Sequence, residues 1–332
     1  MTWFWTGFIV LVLCLLALDL GVLNKRAHQP SIKEALGWTA GWITLGVLFS
    51  GVVYYIYEHK LYSQIEGSGT IPYGGADAML TYLTGFVLEE SLSIDNLFVM
   101  VLIFRSYKIP GTYQHRVLFW GILGAIVMRA IMILGGVWLV THFHWVMYLF
   151  GMYLVVQGLL QFKPEKEDED DDESPAKTWL EKLIGRVLPV TRESNPEGHF
   201  VMRLGPENKL HATQLLVALI SVEAADVVFA LDSVPAVLTV STDPFIVFTS
   251  NVFAILGLRS LYFVIAGMMD RFGHLKYALA AILIFVGAKM CLHKIVHIPI
   301  SLSLVFIVSA VIAGVLTSMY ASRGAAHKDS EA

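Results

Sequence analysis

Apolar residues fill this chain in long runs broken by short polar joints. The runs are close to the length at which a helix spans a hydrocarbon core of about 30 Å. They predict nine membrane helices, over residues 4–23, 36–57, 79–104, 117–141, 145–162, 213–240, 245–269, 275–293 and 298–320. No Lys or Arg precedes the first run and Asn24-Lys25-Arg26 follows it, so it reads as a span and not as a signal peptide. The predicted class is an all-α, multi-pass membrane protein.

The pattern divides the chain into four parts. Residues 1–162 carry spans 1–5, residues 163–212 form a polar cytoplasmic loop, residues 213–321 carry spans 6–9, and residues 322–332 form a cytoplasmic tail. The loop opens on an acidic block from Glu165 to Glu173, which reads as a solvated linker. Trp179, Leu180, Leu183, Ile184, Val187 and Leu188 then recur at helical spacing, predicting an amphipathic helix on the membrane surface. Phe200–Arg203 and Lys209–Ala212 flank Leu204-Gly205-Pro206-Glu207-Asn208 and predict a small hairpin.

Composition and charge sharpen this picture. Of the 332 residues 56% are hydrophobic and only 15% charged, against about 25% charged in an average soluble domain. Mean hydropathy is +0.65. With the N-terminus outside, eighteen of the 23 basic residues fall in cytoplasmic loops. Lys60 and Lys294 alone fall outside, and Arg129, Arg259 and Lys289 lie within spans. The predicted orientation is N-terminus outside and C-terminus cytoplasmic. No basic patch interleaved with aromatics points to nucleic acid. The two cysteines, Cys14 and Cys291, both sit in apolar runs and build neither a disulfide framework nor a zinc site. The chain has no nucleophile–base arrangement, P-loop or dinucleotide fingerprint. It therefore does not read as an enzyme or a cofactor binder, and any transport must run on gradients.

Two spans share a pattern. Span 3 contains Glu89-Glu90-Ser91-Leu92-Ser93-Ile94-Asp95-Asn96, and span 6 contains Asp226-Val227-Val228-Phe229-Ala230-Leu231-Asp232-Ser233. Each is an acid, five residues, Asp, then Asn or Ser. Each precedes a span with one arginine, Arg129 or Arg259, preceded in turn by Ile122-Leu123-Gly124 or Ile255-Leu256-Gly257. Spans 3 and 6 cross in opposite directions, so spans 3–5 and 6–8 predict a 3+3 inverted repeat, an architecture of secondary transporters. Spans 1, 2 and 9 are then peripheral.

Seven carboxylates lie within spans: Asp19, Glu89, Glu90, Asp95, Glu223, Asp226 and Asp232. Each costs roughly 2.5–3.5 kcal/mol near a helix centre unless partnered. Arg129, Arg259 and Lys289 supply only three positive charges, so up to four acids must be protonated, hydrated or bound to a cation. Glu89, Ser93 and Asn96 share one helical stripe, as do Asp226 and Ser233, with Glu223 a turn earlier. Asp95 and Asp232 fall about 120° away on an ideal helix and join the same site only if a helix breaks or the site wraps between helices. Pro235, which frees the Leu231 carbonyl, offers such a break. Carboxylate, amide and hydroxyl oxygens suit Mn²⁺, Mg²⁺ or Ca²⁺ over Zn²⁺.

These motifs are similar to those of the TerC family of integral membrane proteins, especially its Alx-like branch. The resemblance rests on Leu88–Asn96, on Val222–Asp226, on Phe229–Ala236, and on Thr242-Asp243-Pro244-Phe245 through Asn251 to Arg259, and it covers about residues 4–320. It implies export of metal ions, chiefly Mn²⁺, across the bacterial inner membrane. For the Alx-like branch it also implies an association with alkaline pH and a suggested redox role. Carried over by motif, the metal candidates are Glu89, Asp95, Asn96, Asp226 and Asp232, with Glu223 and Asn251 as outer candidates. Arg129, Arg259 and Lys289 remain as charge-balancing residues. The partners implied are the lipid bilayer and a divalent ion. The competing readings are a membrane-bound redox or stress component and a scaffold without transport.

Overall fold

The computed structural model describes residues 2–18, 31–61, 74–143, 145–160, 184, 188–191, 198–204, 209–268, 275–292 and 298–328. Among them are nine helices: α1 (Thr2–Leu18), α2 (Ile32–Glu58), α3 (Gly75–Ser106), α4 (Gly111–His142), α5 (Val146–Leu160), α6 (Gln214–Leu238), α7 (Pro244–Met268), α8 (Leu275–Leu292) and α9 (Ile300–Lys328). A hairpin of β1 (Val201–Leu204) and β2 (Lys209–Ala212) precedes α6, with Val201 opposite Ala212 and Leu204 opposite Lys209.

Five of these helices, α2, α4, α6, α7 and α9, are by themselves long and apolar enough to cross a membrane. Helix α3 has 32 residues but carries Asp77, Glu89, Glu90 and Asp95. Helices α1, α5 and α8 have only 17, 15 and 18 residues. Helix α9 continues past residue 320 to Lys328, into the stretch read as the tail. The stretch Ala325-Ala326 favours helix and no proline interrupts it. The acidic block lies outside the described residues, as does Asp19, and of the expected amphipathic helix only Ile184 and Leu188 are described.

Helix starts follow local chemistry. Asp243 caps α7, accepting from the backbone N–H of Phe245 at 2.9 Å and Ile246 at 3.4 Å, with Pro244 in the first helical position where no N–H is needed. Tyr57 at the end of α2 donates to the other Asp243 oxygen at 2.8 Å. Burial raises the Asp243 pKa above the ordinary carboxylate range, against the pull of these three donors. At the opposite end Arg116 donates to the Gly198 carbonyl at 2.8 Å and tethers the hairpin to the start of α4. Gly198 takes φ +65° with its α-carbon against the Tyr113 ring, a place no side chain could enter.

Contacts between glycines and their neighbours fix the helix directions. Along α4 and α6, Gly121 meets Val222, Arg129 meets Asp226, and Gly136 meets Val234 and Leu238, so the two run parallel. Along α3 and α7, Gly85 meets Ser250, Glu89 meets Asn251 and Glu90 approaches Gly257, again parallel. Helix α2 is antiparallel to α7, with Ile32 at Gly267, Trp42 at Gly257 and Tyr57 at Asp243. Helices α5 and α8 are antiparallel, with Gly151 against Gly287 and Gly158 against Ala280. Because α4 and α6 run the same way, the chain must return across the bundle between them. The 15 residues of α5 rise about 22 Å, enough for that return.

Burial follows the same geometry. On α4 the buried stripe is Val117, Gly121, Ala125, Arg129, Ile133, Val137 and Val140. Val127, Ile131, Leu134 and Trp138 face outward, where a bilayer solvates them. Helix α7 is the exception: it is buried on nearly all sides and forms the bundle's axis. The core splits into two apolar clusters. On α4 one includes Ala125 and the other Ile133; on α6 one includes Val222 and the other Ala230. The residues between, Arg129 and Asp226, are charged.

The α5–α8 crossing depends on absent side chains. A β-carbon on Gly151 would lie 2.9 Å from the Gly287 carbonyl oxygen, and one on Gly158 would lie 2.8 Å from that of Ala280. Backbone cannot give way as a side-chain tip can. Gly151→Leu should therefore destabilise the protein by at least the ~1–3 kcal/mol typical of overpacking. Gly135→Leu, at a position facing open space, should leave stability near wild type. Thermal unfolding in detergent compares the two, and equal stability would refute the close crossing.

Candidate functional site

Between the two apolar clusters four helices bring polar side chains to one point. Glu89 and Ser93 come from α3, Arg129 from α4, Asp226 and Ser233 from α6, and Asn251 from α7. All are buried. The Arg129 guanidinium grips Asp226 with two bonds, Nη2 to Oδ1 at 3.0 Å and Nε to Oδ2 at 3.4 Å. Its Nη1 forms an ion pair with Glu89 Oε1 and donates to Asn251 Oδ1 at 3.3 Å and Ser233 Oγ at 3.4 Å. Asn251 Nδ2 donates to Glu89 Oε2 at 2.8 Å, and Ser93 Oγ to Glu89 Oε1 at 3.4 Å. The amide orientation of Asn251 follows, since its oxygen faces a cation and its NH₂ a carboxylate.

The charge balance of this cluster is two acids to one base. A lone buried guanidinium or carboxylate is expensive in hydrocarbon. Here each charge has an opposite partner and additional hydrogen bonds, the condition under which a buried ion pair is tolerated. Glu89 and Asp226 occupy matching places in the two sequence motifs, and the structure brings them to opposite sides of one guanidinium.

The other candidates are distributed around this centre. Asn96, a further residue on the Glu89 stripe, is buried. Asp95 lies in α3, but its side chain is outside the described residues. Asp232 does not enter the cluster: it is half-buried and lies beside Tyr153 of α5. Helix α6 runs unbroken through Pro235, which sits in its last turn, so no mid-span break swings Asp232 inward. Glu223 lies against Gly124 of α4, where any side chain would overlap its carboxylate. Lys289 donates to Ser303 of α9 at 2.8 Å, away from the motif acids. Arg259 is buried and, with Asp226, borders a cavity of about 10 Å³ lined by Met100, Leu118, Ile122, Val222 and Leu258. That is room for at most one water. Among the described residues no group of three or more His, Cys, Asp and Glu is gathered as a ready metal site.

The sequence reading missed Tyr153, a polar residue in an otherwise apolar span, which was the available signal. It also used Gly124 only as a repeat marker, whereas its missing side chain makes room for Glu223.

Arg129 has two carboxylate partners, so losing one leaves it satisfied and losing both strands it. Glu89→Gln and Asp226→Asn singly should each cost about 1–3 kcal/mol. The double variant should lose more than the sum of the two, because only it leaves the buried guanidinium with no carboxylate at all. A double-mutant cycle on thermal unfolding in detergent measures this, and strict additivity would show that the two acids do not share the arginine.

The profile of the integral membrane protein TerC family matches residues 74–326. The chain is 44% identical to an uncharacterized membrane protein of Myxococcus xanthus, over 99% of this chain and 95% of that one. It is 41% identical to the Escherichia coli K12 protein named "Putative membrane-bound redox modulator Alx", over 90% of this chain and 89% of that one. The same holds for the Salmonella typhi protein of that name, at 41% over 94% and 91%. No solved structure matches. By profile and by identity over nearly its whole length, this chain belongs to the TerC family of integral membrane proteins.

Proposed function

We propose that this protein exports a divalent cation, Mn²⁺, across the bacterial inner membrane by gradient-driven alternating access, with H⁺ moving inward as the metal leaves. The observation that carries this reading is the meeting of Glu89 and Asp226 at one buried point with the oxygens of Ser93, Ser233 and Asn251 within the same cluster. Hard oxygen donors of this kind suit Mn²⁺, and equally Mg²⁺ or Ca²⁺ by ligand type. Two acids supply the negative charge that offsets desolvation of a divalent ion. The reading needs no bound cofactor and no catalytic group.

The packing pattern supports an inverted repeat of spans 3–5 and 6–8. Exchanging the halves turns the α3–α7 contact into the α6–α4 contact, both parallel, and maps α5–α8 onto itself. The alternation of helix direction agrees with nine crossings. Together with the bias of Lys and Arg it supports an outside N-terminus and a cytoplasmic C-terminus. The cavity beside Asp226 lies toward the starts of α4 and α6, the proposed cytoplasmic side, from which an exported ion would enter.

The name of the Escherichia coli and Salmonella typhi relatives favours a second reading, a membrane-bound redox role. The thiols give it little support: Cys14 and Cys291 are both free, on α1 and α8.

Cells lacking the protein and complemented with wild type should hold less manganese and survive high Mn²⁺ better than uncomplemented cells. Glu89→Gln and Asp226→Asn should lose this protection at matched expression, and the purified variants should bind Mn²⁺ at least about tenfold more weakly. Asp232→Asn should lose export while keeping Mn²⁺ binding, since Asp232 stands outside the cluster. Full export by the Glu89 and Asp226 variants would defeat the metal-site assignment.

A further inference from the structure

We propose that Arg129 is a tethered substitute for the transported cation, filling the site when the carrier is empty and leaving it when the metal binds. This rests on the export reading above. The guanidinium engages Glu89, Asp226, Ser233 and Asn251 at once, so a metal ion cannot use those oxygens while the arginine holds them. Arg129 is fully buried at the centre of the α4 stripe, with apolar clusters on either side. An empty site with two ionised carboxylates in this environment would be strongly destabilised.

The arginine therefore decides whether the empty carrier can reorient. With it in place the vacant site carries one uncompensated negative charge instead of two and can cross between its two facings without metal. Without it the site would need a metal ion to reorient, and the protein would exchange Mn²⁺ for Mn²⁺ but not export it.

The test uses full-length wild type, R129K and R129Q in detergent, with and without millimolar MnCl₂, and in proteoliposomes. R129Q should bind Mn²⁺ about tenfold or more tightly than wild type, because its competitor is gone. R129K, whose ammonium cannot reproduce the two-pronged grip, should fall between. R129Q should be unstable without Mn²⁺ and rescued by it. In proteoliposomes it should retain Mn²⁺/Mn²⁺ exchange while net efflux falls at least about tenfold. Equal or weaker binding by R129K and R129Q would overturn the proposal. So would an R129Q protein that stays unfolded at saturating Mn²⁺, since the metal could not then take the arginine's place, and so would wild-type net efflux by R129Q. A wild-type protein that neither binds nor moves Mn²⁺ would overturn the export reading itself, and this inference with it.

Discussion

The arrangement of this bundle depends on one constraint: a guanidinium buried at the middle of α4 must be satisfied by other side chains. Arg129 meets that demand with carboxylates from two different helices, α3 and α6, and an amide from a third, α7. Those three helices must reach α4 at one depth and with fixed rotation about their axes. The apolar stripes then need only fill the space above and below. Packing alone would tolerate a helix slipping by a turn. An ion cluster does not, because a slip of one turn moves a charge about 5.4 Å into hydrocarbon.

The cluster also explains why the two halves of the chain interlock. Helix α3 packs along α7, and α4 along α6, so each helix carrying a motif acid finds its main neighbour in the other half. Helix α7 is enclosed by α2, α3 and α4 and has almost no face left for lipid. Small residues set how near these elements come. Gly85 admits Ser250, Gly124 admits the Glu223 carboxylate, and Gly151 and Gly287 admit each other's backbone.

Much of this was legible in the sequence because it depends on periodicity. The hairpin, the helix count among the described residues, and the stripe shared by Glu89 and Ser93, matched by Asp226 and Ser233, all follow from spacing along one helix. What spacing cannot supply is the rotation of one helix relative to its neighbours. Asp232 lies about 120° from Asp226 on an ideal helix, and sequence left open whether a break at Pro235 would bring it inward. The structure keeps α6 continuous and sets Asp232 beside Tyr153. The partner of Lys289 was likewise invisible, since Ser303 reaches it only after the chain reverses between α8 and α9. Hydropathy alone under-reads α3, whose acids are the very residues that the bundle interior needs.

The separation of Arg129 from Asp226 has a consequence for biogenesis. They are 97 residues apart in sequence, about 5–20 s of synthesis at 5–20 residues per second. During that interval α3 and α4 are already in the membrane while α6 and α7 do not yet exist. Helices α3 and α4 share little packing of their own, so the Glu89–Arg129 ion pair is the main link that the finished fold offers between them at mid-helix. The cluster has all its members only once α6 and α7 are made, since Asp226, Ser233 and Asn251 lie in the later half of the chain.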